Sequence, residues 1–309
     1  MPHSALEFPL LPGESASGFL LRVAPIVRPS IRAEIDYFLG LDDALASAVF
    51  RSELAVWIAE TLGTSRYDML AAMIHKSAGY YTLGDFHLRT GQITQWRRRV
   101  SPSVLNLDAR YGCFPPHHRL VWSIDGLNYD PEYRCRIVDA CPRCREYLRW
   151  STATDVETCT VCGCDLATTP VDEGEPTTFD NFLMALFHPN EDVRMSVRRS
   201  CPEAVRWLPE GDVLDLLLGL AKIAAVARCG VARQAGIEDR DNAAFVLSSR
   251  SASCNAVVEL LTSAIRKEVS GLNSFLGSAL RLSEVKALVR VPRSPQATQF
   301  LQEILDTIS

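Results

Sequence analysis

Four cysteines stand as two tight pairs, Cys141-Pro-Arg-Cys144 and Cys159-Thr-Val-Cys162, separated by fourteen residues. Two cysteines three apart on a tight turn can aim both thiolates at one point. Two such turns brought together close a tetrahedron around Zn²⁺, with bonds of roughly 2.3 Å. Four protein sulfurs leave no position for water or substrate, so the chemistry is structural rather than catalytic. The competing readings are two disulfides or a coincidence of free thiols. The chain opens Met-Pro-His-Ser, with no charged segment leading into an apolar one, and no stretch approaches the ~20 apolar residues of a membrane span. We therefore expect a soluble cytoplasmic protein whose thiols stay reduced and bind Zn²⁺ at Cys141, Cys144, Cys159 and Cys162.

Other residues offer weaker chemistry. Cys113, His117, His118 and Cys135 form a candidate second zinc site with irregular spacing. Cys164, two residues after Cys162, reads as a bystander, and Cys201, Cys229 and Cys254 read as core packing among helical apolar residues. A Cys113–His117 nucleophile pair has no third group at a recognisable spacing to orient it. No phosphate-binding glycine loop is present. No enzyme activity is expected. The segment Arg89-Thr-Gly-Gln-Ile-Thr-Gln-Trp-Arg-Arg-Arg99 holds four arginines, one tryptophan and no acid. Arg89, Trp96, Arg97, Arg98 and Arg99 are candidate nucleic-acid contacts, the arginines for phosphate and the indole for stacking. Arg194, Arg198 and Arg199 form a weaker basic stripe on an expected helix. The formal net charge is −5, and no long segment is globally basic, so sequence-independent DNA binding by charge alone is disfavoured.

The elements that must position these groups follow from periodicity and punctuation. At 309 residues and 47% hydrophobic composition the chain can bury cores in two or three domains. Residues 1–110 read mainly as helix. Leu54, Ala55, Ile58 and Ala59 share one helical face, Gly63 interrupts it, and Ser65 with Asp68 three residues on marks a new start. The stretch from Ile58 to Met69 therefore reads as helix, tight turn, helix, which is either a helix-turn-helix or an ordinary helical hairpin. Residues 111–172 are loop- and strand-like and carry the cysteine pairs, with Tyr147, Leu148 and Trp150 suited to short strands. A polar stretch from Thr168 to Thr178 leads to a helical region, 173–309. There Asp212 is expected to start a helix ended by Gly230, Asn255–Glu268 to form another, and Ser283 and Ser294-Pro295 to start two more. No fixed-period repeat is evident. The expected fold is mainly α, with an N-terminal helix-turn-helix-like domain, a central zinc-ribbon segment and a C-terminal helical domain.

The opening Phe8-Pro-Leu-Leu-Pro-Gly-Glu-Ser-Ala-Ser-Gly-Phe-Leu-Leu-Arg22 resembles the start of the TniQ family of transposition proteins. The helix-turn-helix of that family is similar to Ile58–Met69. Its cysteine-rich middle is similar to Cys141-Pro-Arg-Cys144…Leu148 and Cys159-x-x-Cys162-Gly-x-x-Leu166. The likeness covers residues 6–170 in sequence and the remainder in helical character. The chain departs from the family at Cys144, where histidine is common, and at an earlier cysteine pair, of which Cys113 alone stands here. The resemblance implies a target-selection adaptor that links a target-recognising element, a DNA site or a guide-RNA effector complex, to an AAA+ ATPase that recruits the transposase. It implies DNA and that ATPase as partners and leaves a homodimer open. The surface arm Pro12-Gly13-Glu14-Ser15 is the candidate ATPase contact, the alternative being that Phe8, Leu10 and Leu11 simply pack on the chain's own core. The competing function is a zinc-dependent helix-turn-helix transcription regulator.

Overall fold

The structure is a computed structural model, and it describes residues 8–27, 52–77, 80–89, 91–112 and 115–220, with a few positions in 254–258 and 295–302. The chain divides into two compact units, Met1–Glu175 and Pro176–Ser309. The division falls inside the polar 168–178 stretch. The expected boundary after residue 110 does not separate compact units, because backbone hydrogen bonds tie the N-terminal segment to residues 118–120.

The first unit opens with helix α1 (Ala16–Val23), α2 (Ser52–Leu62) and α3 (Arg66–Ala71). Their apolar faces close one core. Phe19, Leu20 and Val23 of α1 meet Leu54, Ala55, Ile58, Ala59 and Leu62 of α2 and Met69 of α3. The turn between α2 and α3 is the one the sequence predicts. Gly63 takes a left-handed φ of +66°, which glycine adopts without steric cost, and the Ser65 hydroxyl accepts from the Asp68 N–H. Gly63 through Asp68 are exposed or nearly so, with Tyr67 83% exposed.

A three-stranded antiparallel sheet follows, a feature absent from the sequence-based expectation. Strands β1 (Ile74–Ser77), β2 (Tyr80–Leu83) and β3 (Phe86–Arg89) pair in chain order, with Ile74 opposite Leu83 and Leu83 opposite Phe86. Gly84-Asp85 makes the two-residue turn, and Gly84 has φ +54°. That dipeptide between two β-prone runs is a hairpin signal. Helix α4 (Pro102–Tyr111) then leads into the cysteine-bearing region.

The second unit begins with α5 (Thr178–Leu186), whose start is fixed by a reciprocal capping box between Thr177 and Asp180. Then come α6 (Glu191–Arg199), α7 (Glu203–Arg206) and a helix over 210–220. The last begins just after Pro209, two residues before the expected Asp212 start. Gly230, Ser283 and most of the later expected helices lie outside the described residues, although Cys254, Asn255, Val257 and Val258 are helical, as are Pro295 and Leu301. Among the described residues, no helix is long and apolar enough to cross a membrane.

Candidate metal centre

The region from 128 to 166 repeats one backbone turn three times. In the second copy the Arg145 N–H donates to the Cys141 carbonyl (2.9 Å) and the Cys141 N–H to the Glu146 carbonyl (2.8 Å). In the third, Gly163 donates to Cys159 (2.8 Å) and Cys159 to Cys164 (3.0 Å). In the first, Arg134 donates to Asp130 (2.9 Å) and Asp130 to Cys135 (2.8 Å). Each turn is flanked by an antiparallel bridge: Tyr129 with Arg136, Ala140 with Tyr147, Thr158 with Asp165. Each also needs a left-handed residue at its fifth position. These are Arg134 (φ +59°), Arg145 (+66°) and Gly163 (+67°), and only the last is a glycine. The repeat escapes a sequence search because so little side-chain identity survives in Asp130-Pro-Glu-Tyr-Arg-Cys135, Cys141-Pro-Arg-Cys-Arg-Glu146 and Cys159-Thr-Val-Cys-Gly-Cys164.

The second and third turns face each other with their sulfurs converging. Cys141 Sγ lies 3.7 Å from Cys162 Sγ, and Cys144 Sγ lies 3.7 Å from Cys159 Sγ. A tetrahedron with bonds of roughly 2.3 Å has edges of about 3.8 Å. Cys164, read as a bystander from sequence, is buried at the centre of the group, 3.3 Å from Cys141. The thiols of Cys141, Cys159, Cys162 and Cys164 all lie within 4.8 Å of one another and could hold a metal ion. All of these cysteines are free, so the disulfide reading fails. The signal for Cys164 was its position: it returns from the turn directly opposite Cys159, so its side chain shares the interior with that residue.

The electrostatics divide the thiols, lowering Cys141 and Cys162 and raising Cys144 and Cys164. Burial alone would raise the Cys141 thiol, yet the N–H groups of Cys144 and Arg143 and the neighbouring Cys164 and Cys159 thiols hold it down to about 6. Burial and the nearby Cys141 and Cys162 sulfurs push Cys164 up to about 12. A bound cation reverses such repulsion by neutralising every sulfur at once.

Arginines expected on a nucleic-acid surface instead build the frame of this centre. Arg98 is 1% exposed and donates to the Asp155 and Thr158 carbonyls, the latter at 2.9 Å, fixing the strand that enters Cys159. Arg99, also buried, donates to the carbonyls of Trp122 (3.3 Å), Ile124 and Leu127 (2.7 Å). Burial lowers both guanidinium pKa values, that of Arg98 to about 10. The expectation that these two meet phosphate is corrected: their donors are turned inward to satisfy loop carbonyls that no regular element pairs. Arg97 does reach the surface. It stacks 3.8 Å over the Tyr147 ring and pairs with Asp139 at 2.8 Å, the hydrogen bond that raises its pKa. Trp96 is 60% exposed, and Arg89 lies over the Tyr80 ring at 5.3 Å. On α6, Arg199 is exposed, while Arg194 and Arg198 are half-buried and spend donors on the chain's own carbonyls. Arg198 donates to the Arg206 (3.1 Å) and Leu208 (2.8 Å) carbonyls and pairs with Glu210, and Arg194 donates to the His188 and Pro189 carbonyls.

Among the described residues, the second candidate zinc site does not come together. Cys113 lies outside the described residues. His118 is fully buried. It shares a 2.8 Å hydrogen bond with the Ser15 hydroxyl and presents its ring edge-on to Trp122 and Trp150, at 5.4 and 4.7 Å. His117 meets the Pro115 carbonyl at 3.1 Å and Asp108 at 3.7 Å. Cys135 turns its thiol to the Tyr133 carbonyl. The metal-capable group among the described residues includes none of the three.

The arm Pro12-Gly13-Glu14-Ser15 is a staple rather than a free arm. Glu14, 2% exposed, accepts both Arg22 Nε and a terminal Arg22 nitrogen at 2.8 Å, a bidentate geometry, and also the Leu11 N–H at 3.0 Å. Ser15 caps α1 through the Gly18 N–H, and its own N–H donates to the His118 carbonyl at 2.8 Å. A Cβ at Gly18 would sit 2.7 Å from the His118 Cβ, so glycine there permits the close approach. Phe8 and Leu10 pack on the helical core, as the bland alternative holds. Pro12 and Gly13 alone of the four remain exposed. Comparison of the chain with protein-family models and with characterised proteins gives no match.

Proposed function

We propose that the chain is a non-enzymatic adaptor for target selection in DNA transposition, resembling TniQ, with one structural zinc held by the paired cysteines. The observation that carries the reading is the joining of the resembling segments. The Gly-Glu-Ser motif caps α1, bonds to His118 beside the cysteine region, and packs Ala16, Phe19 and Leu20 onto the helix-turn-helix. Segments far apart in sequence thus pack on one another. Such a body presents fixed surfaces and suits holding partners in a set geometry. The partners on this reading are an AAA+ ATPase and a target-recognising element, DNA or a guide-RNA effector complex. Pro12 and Gly13 mark the ATPase side, and Arg97, Arg89 and Trp96 supply the nucleic-acid contacts.

The test is copurification of the full chain with an AAA+ ATPase encoded beside it, with ATP bound, followed by transposition of a marked element in cells. Capture of the ATPase and loss of transposition on deleting this gene are the expected results. No capture in any nucleotide state, with transposition unchanged, would overturn the reading. A second reading, a zinc-dependent transcription regulator, draws on the exposed start of α3 at Arg66 and Tyr67, the place where a helix-turn-helix reads DNA. It would gain from specific duplex binding that Arg66→Ala abolishes.

A further inference from the structure

Five thiols crowd a centre where a zinc ion takes four. Cys141, Cys159 and Cys162 belong both to the set given by the two pairs and to the set drawn by mutual proximity; Cys144 and Cys164 compete for the remaining corner. The two differ in setting. Cys144 sits on the half-exposed outer side of its turn, 3.7 Å from Cys159, at the spacing of a tetrahedral edge. Cys164 is buried on the inner side, 3.3 Å from Cys141. That separation suits a thiol donating to a thiolate. It is about half an ångström short of the edge of a zinc tetrahedron, a gap that a small side-chain adjustment closes.

We propose that Cys144 and Cys164 are interchangeable fourth ligands: with Cys144 on the metal, Cys164 donates its S–H to Cys141, and when Cys144 leaves, Cys164 takes its corner. Cys144, half-exposed like Cys162, is one of the two ligands that reagents and competing chelators reach first. A buried reserve thiol therefore keeps the metal tetrahedral through the loss of the Cys144 bond. The proposal rests on the zinc reading above.

The test uses full-length protein and five forms: wild type, Cys144→Ser, Cys164→Ser, the double variant and Cys159→Ser. Zinc per chain is measured after dialysis, and cobalt-loaded samples report the number of thiolates through the sulfur-to-metal absorption band. Both single variants are expected to keep one metal with a four-thiolate band like that of the wild type. The double variant and Cys159→Ser should lose stoichiometric zinc. A folded Cys144→Ser chain without metal, or with a band reduced by a quarter, overturns the proposal, as does loss of metal from Cys164→Ser. A measurement that needs no variant guards against misfolding. Zinc-loaded wild type is alkylated slowly, the labelled cysteine is identified by mass spectrometry, and released zinc is followed with a chromogenic chelator. Labelling of Cys144 without zinc release is expected, whereas release in step with that labelling overturns the exchange. Absence of zinc from the wild type would instead overturn the zinc reading itself.

Discussion

The turn at Asp130 and the turns at Cys141 and Cys159 share one backbone and differ in what holds them. At Asp130 a carboxylate does the work. Its Oδ1 accepts the N–H groups of Glu132 and Tyr133, at 3.0 and 2.9 Å, and its Oδ2 accepts the Trp122 indole N–H at 2.7 Å. At Cys141 the sulfur accepts the equivalent two N–H groups, from Arg143 and Cys144. There no tryptophan completes the set, and the remaining valence of the sulfur points at the other cysteines. The same turn is therefore self-sufficient where an oxygen acceptor meets an indole and, on the zinc reading proposed above, dependent on a cation where sulfurs meet each other.

Removing the metal should separate the two kinds of turn most sharply. Structural zinc binding is worth roughly 10–16 kcal/mol in small zinc-finger peptides, so chelation should unfold the Cys141 and Cys159 turns. Hydrogen exchange by mass spectrometry should show protection lost across 139–166 and kept across 128–137. Equal loss in both would mean that the first turn borrows its order from the metal.

The converse perturbation is Asp130→Ala. It leaves the buried Trp122 N–H and two backbone N–H groups without their acceptor, at a cost of about 3 kcal/mol in urea unfolding. Zinc content should stay at that of the wild type. Asp130→Asn keeps an acceptor oxygen and should lose less.

His118 spans both kinds of turn, edge-on to Trp122, which serves the first, and to Trp150, just past the second. Burial, with Arg98 nearby, lowers its pKa to about 3, so it folds neutral. An unfolded histidine takes up a proton below about pH 6.5. Between those values the unfolded state binds the extra proton. Stability from this group is complete above pH 6.5 and falls by up to about 1.4 kcal/mol per unit as pH drops. Urea titrations at pH 7.5, 6.5 and 5.5, with zinc retention followed in the same samples, should show the decline in His118 protein and a shallower one in His118→Gln.

The smallest effect lies at the fifth position of each turn. Arg145 holds a left-handed φ that Gly163 takes freely. Arg145→Gly should gain about 0.5–1 kcal/mol, and Gly163→Ala should lose about 1 kcal/mol. Thermal melts of zinc-loaded protein resolve both.

Sequence reading succeeded where one short pattern determines a local structure. Gly63 and Ser65 specify a turn and a cap, and two C-x-x-C units specify two converging turns. It failed where the deciding interaction is remote. Nothing in Arg97-Arg98-Arg99 distinguishes a phosphate contact from a strut; that depends on loop carbonyls some 23 to 60 residues away. Glu14 and Ser15 look like a surface arm until Arg22 and His118 arrive to bury them. The β1–β3 sheet was missed for a different reason. Its Gly84-Asp85 turn was readable, and the helical character of its surroundings masked it. Cys164 fell between the two cases, since its distance from Cys162 in sequence fits no ligand spacing while the return of the turn delivers it to the centre.

The central claim is that two of three like turns are closed by one metal ion. Native mass spectrometry of the full-length chain, purified without added metal, tests it in a single spectrum. The account predicts a folded charge-state distribution whose mass exceeds the bare chain by one zinc less the protons it displaces, collapsing to the bare mass with higher charge states after chelation. A compact, metal-free chain with the same charge states before and after chelation would contradict it.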